Sequence, residues 1–309
     1  MLIQNPPVEI TDTLVMLGTN EYPLFLVKGE REGAIVEGGV GAMGPLVLEQ
    51  MDALGIGRDF VRQVVVTHAH PDHVMAVPLF RQAFPGVAVL ASEAAARTLA
   101  AAKAVSFFSK IDGALTASLL KAGLIADGHR PEPLAGETIA VDRTIADGDR
   151  IPVGAAACFV VLATPGHSEC SLSFHEPDQK ILIISDATGY YLPDAFWWPN
   201  YFVGYAPYLH SIERLAGLDA EVLCLSHNGV VEGAADVAAY FRGAADATTA
   251  YHQRIVAEAK AGKGIREIAE QLGAEAHERT QLLPLEFFQK NCGVLVKQSL
   301  EHEGIRVDK

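Results

Sequence analysis

Three imidazoles and one carboxylate lie within six residues in the stretch Thr67-His68-Ala69-His70-Pro71-Asp72-His73. The apolar run Val64–Val66 directly precedes it and predicts a buried strand, because short runs of β-branched residues are typical of strands. Pro71 suits the first turn of a helix, where its missing N–H has no partner to lose. The sequence therefore predicts a strand, a ligand loop and then a helix over residues 72–84. Imidazole nitrogens and carboxylate oxygens are ligands that zinc and iron bind in proteins.

Three further apolar runs end in polar residues of the same type. They are followed by Thr164-Pro165-Gly166-His167, Ser185-Asp186 and Ser226-His227-Asn228-Gly229. Four buried strands are thus each predicted to carry metal-type side chains at their carboxyl ends, where loops on a rigid scaffold usually carry function. Burying so many polar groups without a metal would be costly. The pattern therefore predicts a metal site.

The spacing His-x-His-x-Asp-His, followed by these three motifs, resembles the signature of the metallo-β-lactamase superfamily. The resemblance implies an α/β (α+β) fold, a four-layer αββα sandwich. It also implies a site for two metal ions with seven ligands. One ion would be held by His68, His70 and His167, and the other by Asp72, His73 and His227, with Asp186 as the bridge. Ser185, Ser226 and Asn228 stand where the superfamily usually has glycine, which is a mild departure.

The resemblance also implies a reaction. Two metal ions lower the pKa of a shared water, and the resulting metal-bridging hydroxide attacks a carbonyl carbon. The same ions stabilise the oxyanion that develops. Asp72 and Asp186 are the candidate catalytic residues, and Asp72 would orient the hydroxide and take its proton. Thr67, Ser185 and Ser226 are candidates for hydrogen bonds that orient the ligands. The ligand types leave the metal open, so two divalent ions of zinc, iron or manganese, or a mixed pair, are all admissible.

The remaining elements predict one catalytic domain and a helical tail. Residues 8–37 predict a β-meander, and a helix follows from about residue 44 to residue 54. A helical insertion is expected at about residues 92–126, because apolar residues recur there at steps of three and four. We expect residues 1–235 to form the catalytic domain. Residues 236–309 predict a helical C-terminal extension that docks on the active-site face.

Residues 190–208 are rich in aromatic side chains and interrupted by prolines, which predicts an irregular segment. The segment begins four residues after Asp186, so it can form an apolar substrate wall beside the metals. Packing as a structural flap is the alternative. The candidate substrate-binding residues are Tyr190, Tyr191, Phe196, Trp197, Trp198 and, from the helical insertion, Phe108.

Composition narrows the classes of protein. The chain has 309 residues, half of them hydrophobic, and a formal net charge of −14, which disfavours binding to a phosphate backbone. We therefore expect a small-molecule substrate and no nucleic acid. The four cysteines are widely spaced, as in a cytoplasmic protein with reduced thiols. No signal peptide and no apolar stretch of the ~20 residues that span a bilayer are present, so neither membrane insertion nor antibiotic hydrolysis is expected. The sequence is compatible with a homodimer.

Within the superfamily, the chain resembles the quinolone-signal response thioesterase type. The motifs that carry this resemblance are Asp12-x-Leu14, Leu17-Gly18, Pro23-x-Phe25-Leu26-Val27 and Val36-Glu37-Gly38-Gly39. It implies hydrolysis of an acyl thioester or a related ester with an apolar or aromatic acyl group. One alternative is an iron-dependent sulfur (persulfide) dioxygenase that uses His68, His167 and Asp186. The other is a non-enzymatic, partner-binding protein with a relic metal site.

Overall fold

The structure is a computed structural model, and it describes residues 1–194, 196–280 and 283–305. Over these residues the chain forms sixteen β-strands and eight α-helices. The strands are β1 (Leu2–Ile3), β2 (Val8–Thr11), β3 (Leu14–Gly18), β4 (Pro23–Lys28), β5 (Gly33–Val36), β6 (Val61–Val65), β7 (Ala88–Ala91), β8 (Arg143–Thr144), β9 (Arg150–Val153), β10 (Ala157–Ala163), β11 (Leu172–Glu176), β12 (Ile181–Ile183), β13 (Tyr190–Leu192), β14 (Phe196–Trp198), β15 (Val222–Cys224) and β16 (Val230–Glu232). The helices are α1 (Met43–Ala53), α2 (Val77–Ala83), α3 (Glu93–Leu99), α4 (Ala102–Lys121), α5 (Tyr205–Ala216), α6 (Ala234–Lys260), α7 (Ile265–Thr280) and α8 (Leu285–His302).

Two seven-stranded sheets form the centre of the fold. The first has the order β2-β3-β4-β5-β6-β7-β8, with antiparallel neighbours up to β5 and parallel neighbours after it. The second has the order β1-β16-β15-β12-β11-β10-β9, and its neighbours β12 and β15 run parallel. The first strand of the chain therefore completes the second sheet.

The sheets stack because their strands are apolar on both faces. Along β3, Leu14 and Met16 enter the core between the two sheets, while Val15 and Leu17 enter the core beneath helices α1 to α4. This alternation follows from the two-residue period of a strand. A third core lies between the second sheet and helices α5 to α8. The four layers are helices α1 to α4, the first sheet, the second sheet and helices α5 to α8. They confirm the predicted αββα sandwich and its helical C-terminal extension.

The helix after the ligand loop begins later than the sequence predicts. Pro71–His73 forms a single 3₁₀ turn, and α2 begins only at Val77. The reason is that the N–H groups of Met75 and Ala76 donate to the carbonyls of Gly39 and Gly38. A helix that began at Asp72 would need these two N–H groups for the carbonyls of Pro71 and Asp72.

The predicted helical insertion contains α3 and α4. Ser92 caps α3 by accepting a hydrogen bond from the N–H of Ala95. Helix α4 packs beside the 3₁₀ turn of the ligand loop, and its buried Asp112 accepts a hydrogen bond from the N–H of Gly41. The insertion therefore supports the loop that carries the histidines.

The predicted C-terminal extension contains α6, α7 and α8. Residues 281, 282 and 306–309 of that prediction lie outside the described residues. In the part of the chain that the structure describes, each helix is too short or too polar to span a bilayer.

The aromatic segment contains regular structure, so the prediction of an irregular segment is wrong. Strands β13 and β14 pair in an antiparallel hairpin. Pro193 lies in the turn and Pro199 directly follows β14, so neither proline removes a hydrogen bond from the pairing. Pro207 lies in the first turn of α5, where proline is tolerated.

Candidate metal centre

Strand direction brings the predicted ligands together at one edge of the sandwich. In the second sheet β10, β12 and β15 point the same way, since β11 is antiparallel to both β10 and β12. Their carboxyl ends carry His167, Asp186 and His227. The carboxyl end of β6 in the first sheet leads to residues 68–73. All seven predicted ligands therefore meet in one buried cluster.

Three histidines form one half of the cluster. His68 Nε2 lies 3.0 Å from His70 Nδ1, and His167 Nε2 lies 2.9 Å from the same atom. Two nitrogens on one tetrahedral zinc, each bonded at ~2.0–2.1 Å, lie roughly 3.3 Å apart. The three nitrogens therefore converge at a spacing close to that of zinc ligands.

The other half holds Asp72, His73 and His227. The Nε2 atom of His73 lies 3.5 Å from Asp72 Oδ2, and that of His227 lies 3.9 Å from it. Asp186 lies between the halves, with Oδ2 3.3 Å from His167 Nε2 and Oδ1 3.4 Å from His227 Nε2. Oδ2 also lies 3.7 Å from His73 Nε2, so the carboxylate contacts both halves, as a bridging ligand must.

Oxygen acceptors hold four of the histidine rings from outside. The contacts from Nδ1 are His68 to Ser185 Oγ at 2.7 Å, His73 to Glu37 Oε2 at 2.9 Å, His167 to the Asn200 carbonyl at 3.0 Å and His227 to the Glu21 carbonyl at 2.6 Å. Donation from Nδ1 leaves the lone pair on Nε2, which faces the cluster. Metal-binding histidines are usually held by such a hydrogen bond from the nitrogen that does not bind the metal.

The predicted orienting residues take different partners. Ser226 Oγ donates to Asp186 Oδ1 at 2.6 Å, and Ser185 contacts His68 directly. Thr67 donates to Glu37 Oε1 at 2.9 Å, so it supports His73 through Glu37.

One buried nitrogen tests whether the cluster fits a metal. His73 is 2% exposed, and its Nε2 has no hydrogen-bond partner among the described residues. A buried polar atom without a partner costs about 1–3 kcal/mol. A divalent cation that accepts this lone pair removes that cost, and the carboxylates of Asp72 and Asp186 balance its charge. The residues present therefore fit metal ions.

Burial and neighbouring charges set protonation states that suit a cation. Burial lowers the pKa of His68 well below its usual value and that of His70 to about 3, so both rings stay neutral. Burial alone would raise the pKa of Asp72, but His73 and His227 outweigh it and bring the pKa to about 2. Burial alone would lower the pKa of His73 and of His227, but the neighbouring carboxylates outweigh it and raise both. A cation in that half of the cluster therefore takes the place of protons on these two rings.

Glu37 is a site residue that the sequence analysis did not assign. Its side chain is 2% exposed and binds both Thr67 and His73. Its backbone adopts a φ of 85°, which turns the chain sharply at the end of β5. The sequence does offer a signal for Glu37, because it is a carboxylate directly after an apolar run. The ligands were identified by the same rule.

The cluster forms the floor of an apolar cavity. The hairpin β13–β14 supplies Tyr190 and Trp198, and the C-terminal extension supplies Leu283, Phe287 and Phe288. The rings of Trp198 and Phe288 pack 5.0 Å apart. The hairpin and α8 together therefore form the wall above the ligands.

The predicted substrate-binding residues of the hairpin lie on its two opposite faces. Tyr190 and Trp198, paired across the hairpin, line the cavity. Tyr191 and Trp197 point the other way and pack on each other, with ring centroids 4.8 Å apart. Phe196 lies further along the hairpin, under the guanidinium of Arg279 at 5.3 Å.

Phe108 lies on another side of the cluster. It lines an open depression that also reaches His70 and His167. The metal cluster is therefore accessible from two sides, and Phe108 borders the side away from the hairpin.

The chain matches a family model over a range that includes the whole cluster. The model of the metallo-β-lactamase superfamily matches residues 23–227, which contain all seven predicted ligands. Among curated proteins, the chain is 27% identical over 171 residues to a hydroxyacylglutathione hydrolase from Fuscovulum blasticum, which covers 55% of this chain and 49% of that protein. The chain therefore spans about half the length of the curated relative it matches.

Solved structures share the fold at low sequence identity. A metallo-beta-lactamase family protein from Thermus thermophilus has a TM-score of 0.63 and 20% identity, over 96% of this chain and 95% of that one. A metallo-beta-lactamase from Novosphingobium pentaromativorans has a TM-score of 0.58 and 21% identity, over 84% of this chain and 93% of that one. Such identities show a common fold alone.

We predict that Glu37→Gln weakens metal binding in the half of the cluster that contains His73. The substitution removes the charge that orients and polarises this ring, and the loss of such a partner typically costs about 10–100-fold in metal affinity. Zinc competition against a chromophoric chelator measures the change. Glu49→Gln is the matched control, because Glu49 binds His129 at 2.8 Å on the surface. Equal zinc affinity in Glu37→Gln and in the unsubstituted protein would refute the role of Glu37.

Proposed function

This chain belongs to the metallo-β-lactamase superfamily, and on that premise we propose that it is a metal-dependent hydrolase of acyl thioesters. The observation that carries the proposal is the cluster of seven metal-type side chains at the floor of an apolar cavity. The chain is similar to a hydroxyacylglutathione hydrolase, and an acylglutathione is a thioester. This similarity supports thioesters as the substrate class.

The two halves of the cluster are the proposed binding sites for two divalent ions, zinc or iron. When bound, such ions supply a water activated as a nucleophile and positive charge for a developing oxyanion. Asp186 faces both halves and would fix their relative position. Asp72 borders the cavity with its side chain 24% exposed and stays ionised, so it can accept a proton from the attacking water.

Tyr190 is the proposed hydrogen-bond donor to the substrate. Its ring centroid lies 5.0 Å from that of His227, at the cavity wall. Burial raises the pKa of Tyr190 to about 12, so the hydroxyl stays protonated at neutral pH. A protonated phenol beside the ligands can donate to the acyl carbonyl oxygen, where negative charge develops.

The cavity wall favours an apolar or aromatic acyl group. Trp198, Phe287 and Phe288 offer flat apolar surface that gains contact when an acyl chain or ring leaves water. A thiolate suits the leaving group, because a thiol with a pKa of about 8.5 departs without a strong acid. The negative charge of the chain favours a leaving group without several phosphates.

Sulfur dioxygenase chemistry is less well supported. A mononuclear iron site needs two histidines and one carboxylate. The half with Asp72, His73 and His227 would then be surplus, although Glu37 and the Glu21 carbonyl hold its rings in place. Hydrolysis with two metals uses the whole cluster.

We predict metal-dependent release of thiol from aromatic acyl thioesters. Protein loaded with zinc or with iron is assayed on benzoyl and acetyl thioesters of glutathione and of N-acetylcysteamine. Hydrolysis of a penicillin is measured alongside. Oxygen uptake with glutathione persulfide tests the dioxygenase alternative. Benzoyl thioesters are expected to be cleaved best, and Asp186→Asn is expected to lower kcat by at least about 100-fold, comparable to removal of a key electrostatic group. Oxygen uptake without thiol release would refute the proposal.

We also predict that adjacent tryptophans affect acyl selectivity differently. Trp198→Ala removes a wall of the cavity, so KM for benzoyl thioesters should rise about tenfold more than KM for acetyl thioesters, equivalent to ~1.4 kcal/mol of lost contact. Trp197→Ala is the matched control, because Trp197 packs against Tyr191 and Tyr240. Its benzoyl-to-acetyl ratio should stay unchanged. The same change of ratio in both variants would place the acyl pocket elsewhere.

A further inference from the structure

A second group of metal-type residues lies at the far end of α8. His252 on α6 meets His302, the last residue of α8, and Glu303 directly after it. One donor atom from each of the three lies within 4.8 Å of the others. The group shares no residue with the seven-residue cluster, and neither the family match nor the proposed reaction uses it.

Aromatic packing holds the central imidazole in place. The ring of His252 stacks on Tyr205 with centroids 3.9 Å apart and an angle of 11°. The ring of His302 lies edge-on to both, 5.4 Å from His252 and 5.0 Å from Tyr205. His252 Nε2 lies 3.3 Å from Glu303 Oε1. The three groups are thus already gathered around a common point.

His252 is also incompletely satisfied. It is 5% exposed, and its Nδ1 has no hydrogen-bond partner among the described residues. Within the described ranges, the one polar contact of its ring is the long one from Nε2 to Glu303 Oε1. Stacking therefore orients the ring more than hydrogen bonding does, and Nε2, which faces Glu303, is the nitrogen available to a cation.

The position favours positive charge. Helix α8 has 18 residues, and the carboxyl end of a helix carries a partial negative charge that attracts cations. His302 and Glu303 are exposed, so an ion can enter from solvent and keep a water molecule as a further ligand. Two imidazoles and one carboxylate form a ligand set that zinc uses in proteins.

We propose that His252, His302 and Glu303 bind a further divalent ion, zinc by their ligand types, and that this ion ties the end of α8 to α6. The amino-terminal part of the same helix carries Phe287 and Phe288, which form the cavity wall. The bound ion therefore stabilises the helix that covers the catalytic cluster. This site is independent of the reaction and holds whether or not the substrate is a thioester.

Metal stoichiometry tests the site. The full-length protein, with its catalytic cluster loaded, is equilibrated with low-micromolar free zinc, and zinc per chain is measured by mass spectrometry. We expect one zinc ion more in the unsubstituted protein than in His302→Ala or in Glu303→Gln, whose substituted side chains are exposed. His129→Ala is the matched control, because His129 forms a His–Glu pair at 2.8 Å and belongs to no group of three metal-type side chains in the described part of the chain. It should keep the full number of ions.

Amide hydrogen exchange supplies a readout apart from stoichiometry and activity. Zinc should slow exchange at residues 296–302 in the unsubstituted protein and in His129→Ala, and should leave it unchanged in Glu303→Gln. Circular dichroism verifies that each variant is folded. Equal zinc counts in the unsubstituted protein, His302→Ala and Glu303→Gln would overturn the proposal. A reduced zinc count in His129→Ala that matches the reduction in the other two variants would also overturn it.

Discussion

Five imidazoles and two carboxylates are confined at one edge of the sandwich, and the rest of the structure depends on this confinement. Polar groups that lose water need partners, and several of these groups face one another across 2.9–4.0 Å. Each imidazole that donates outward to a serine, a carboxylate or a carbonyl keeps its other nitrogen for the cluster. The arrangement of the cluster therefore fits metal ions.

The two sheets supply the rigidity that this confinement needs. Parallel strand directions bring four loops to one edge, and the apolar core between the sheets holds that edge in register. Helix α4 packs beside the 3₁₀ turn of the ligand loop, and its Asp112 binds the N–H of Gly41 in the turn after β5. The hairpin and α8 close the other side with aromatic surface. Under the proposed function, metal chemistry and substrate selection thus fall to separate layers of the fold.

Much of this arrangement could be predicted from local sequence. His167, Asp186 and His227 each follow an apolar run, so strand ends and ligand types identified them together. The αββα layers were implied by the resemblance to the superfamily, whereas the apolar runs by themselves predicted only buried strands. Strand alternation, which separates Trp198 from Trp197, could not be applied to a segment predicted to be irregular.

Other features depend on contacts between distant residues. The pairing of β1 with β16 joins Leu2 to Val231, and no local period encodes it. The role of Glu37 depends on where His73 falls in space, and His252 meets His302 only after α6 and α8 pack. The central claim is that the cluster holds two metal ions, and anomalous diffraction from crystals grown with excess zinc tests it most directly. We predict two peaks about 3.5–4 Å apart, with Asp186 touching both. A single peak, with His73 and His227 unliganded, would contradict the account.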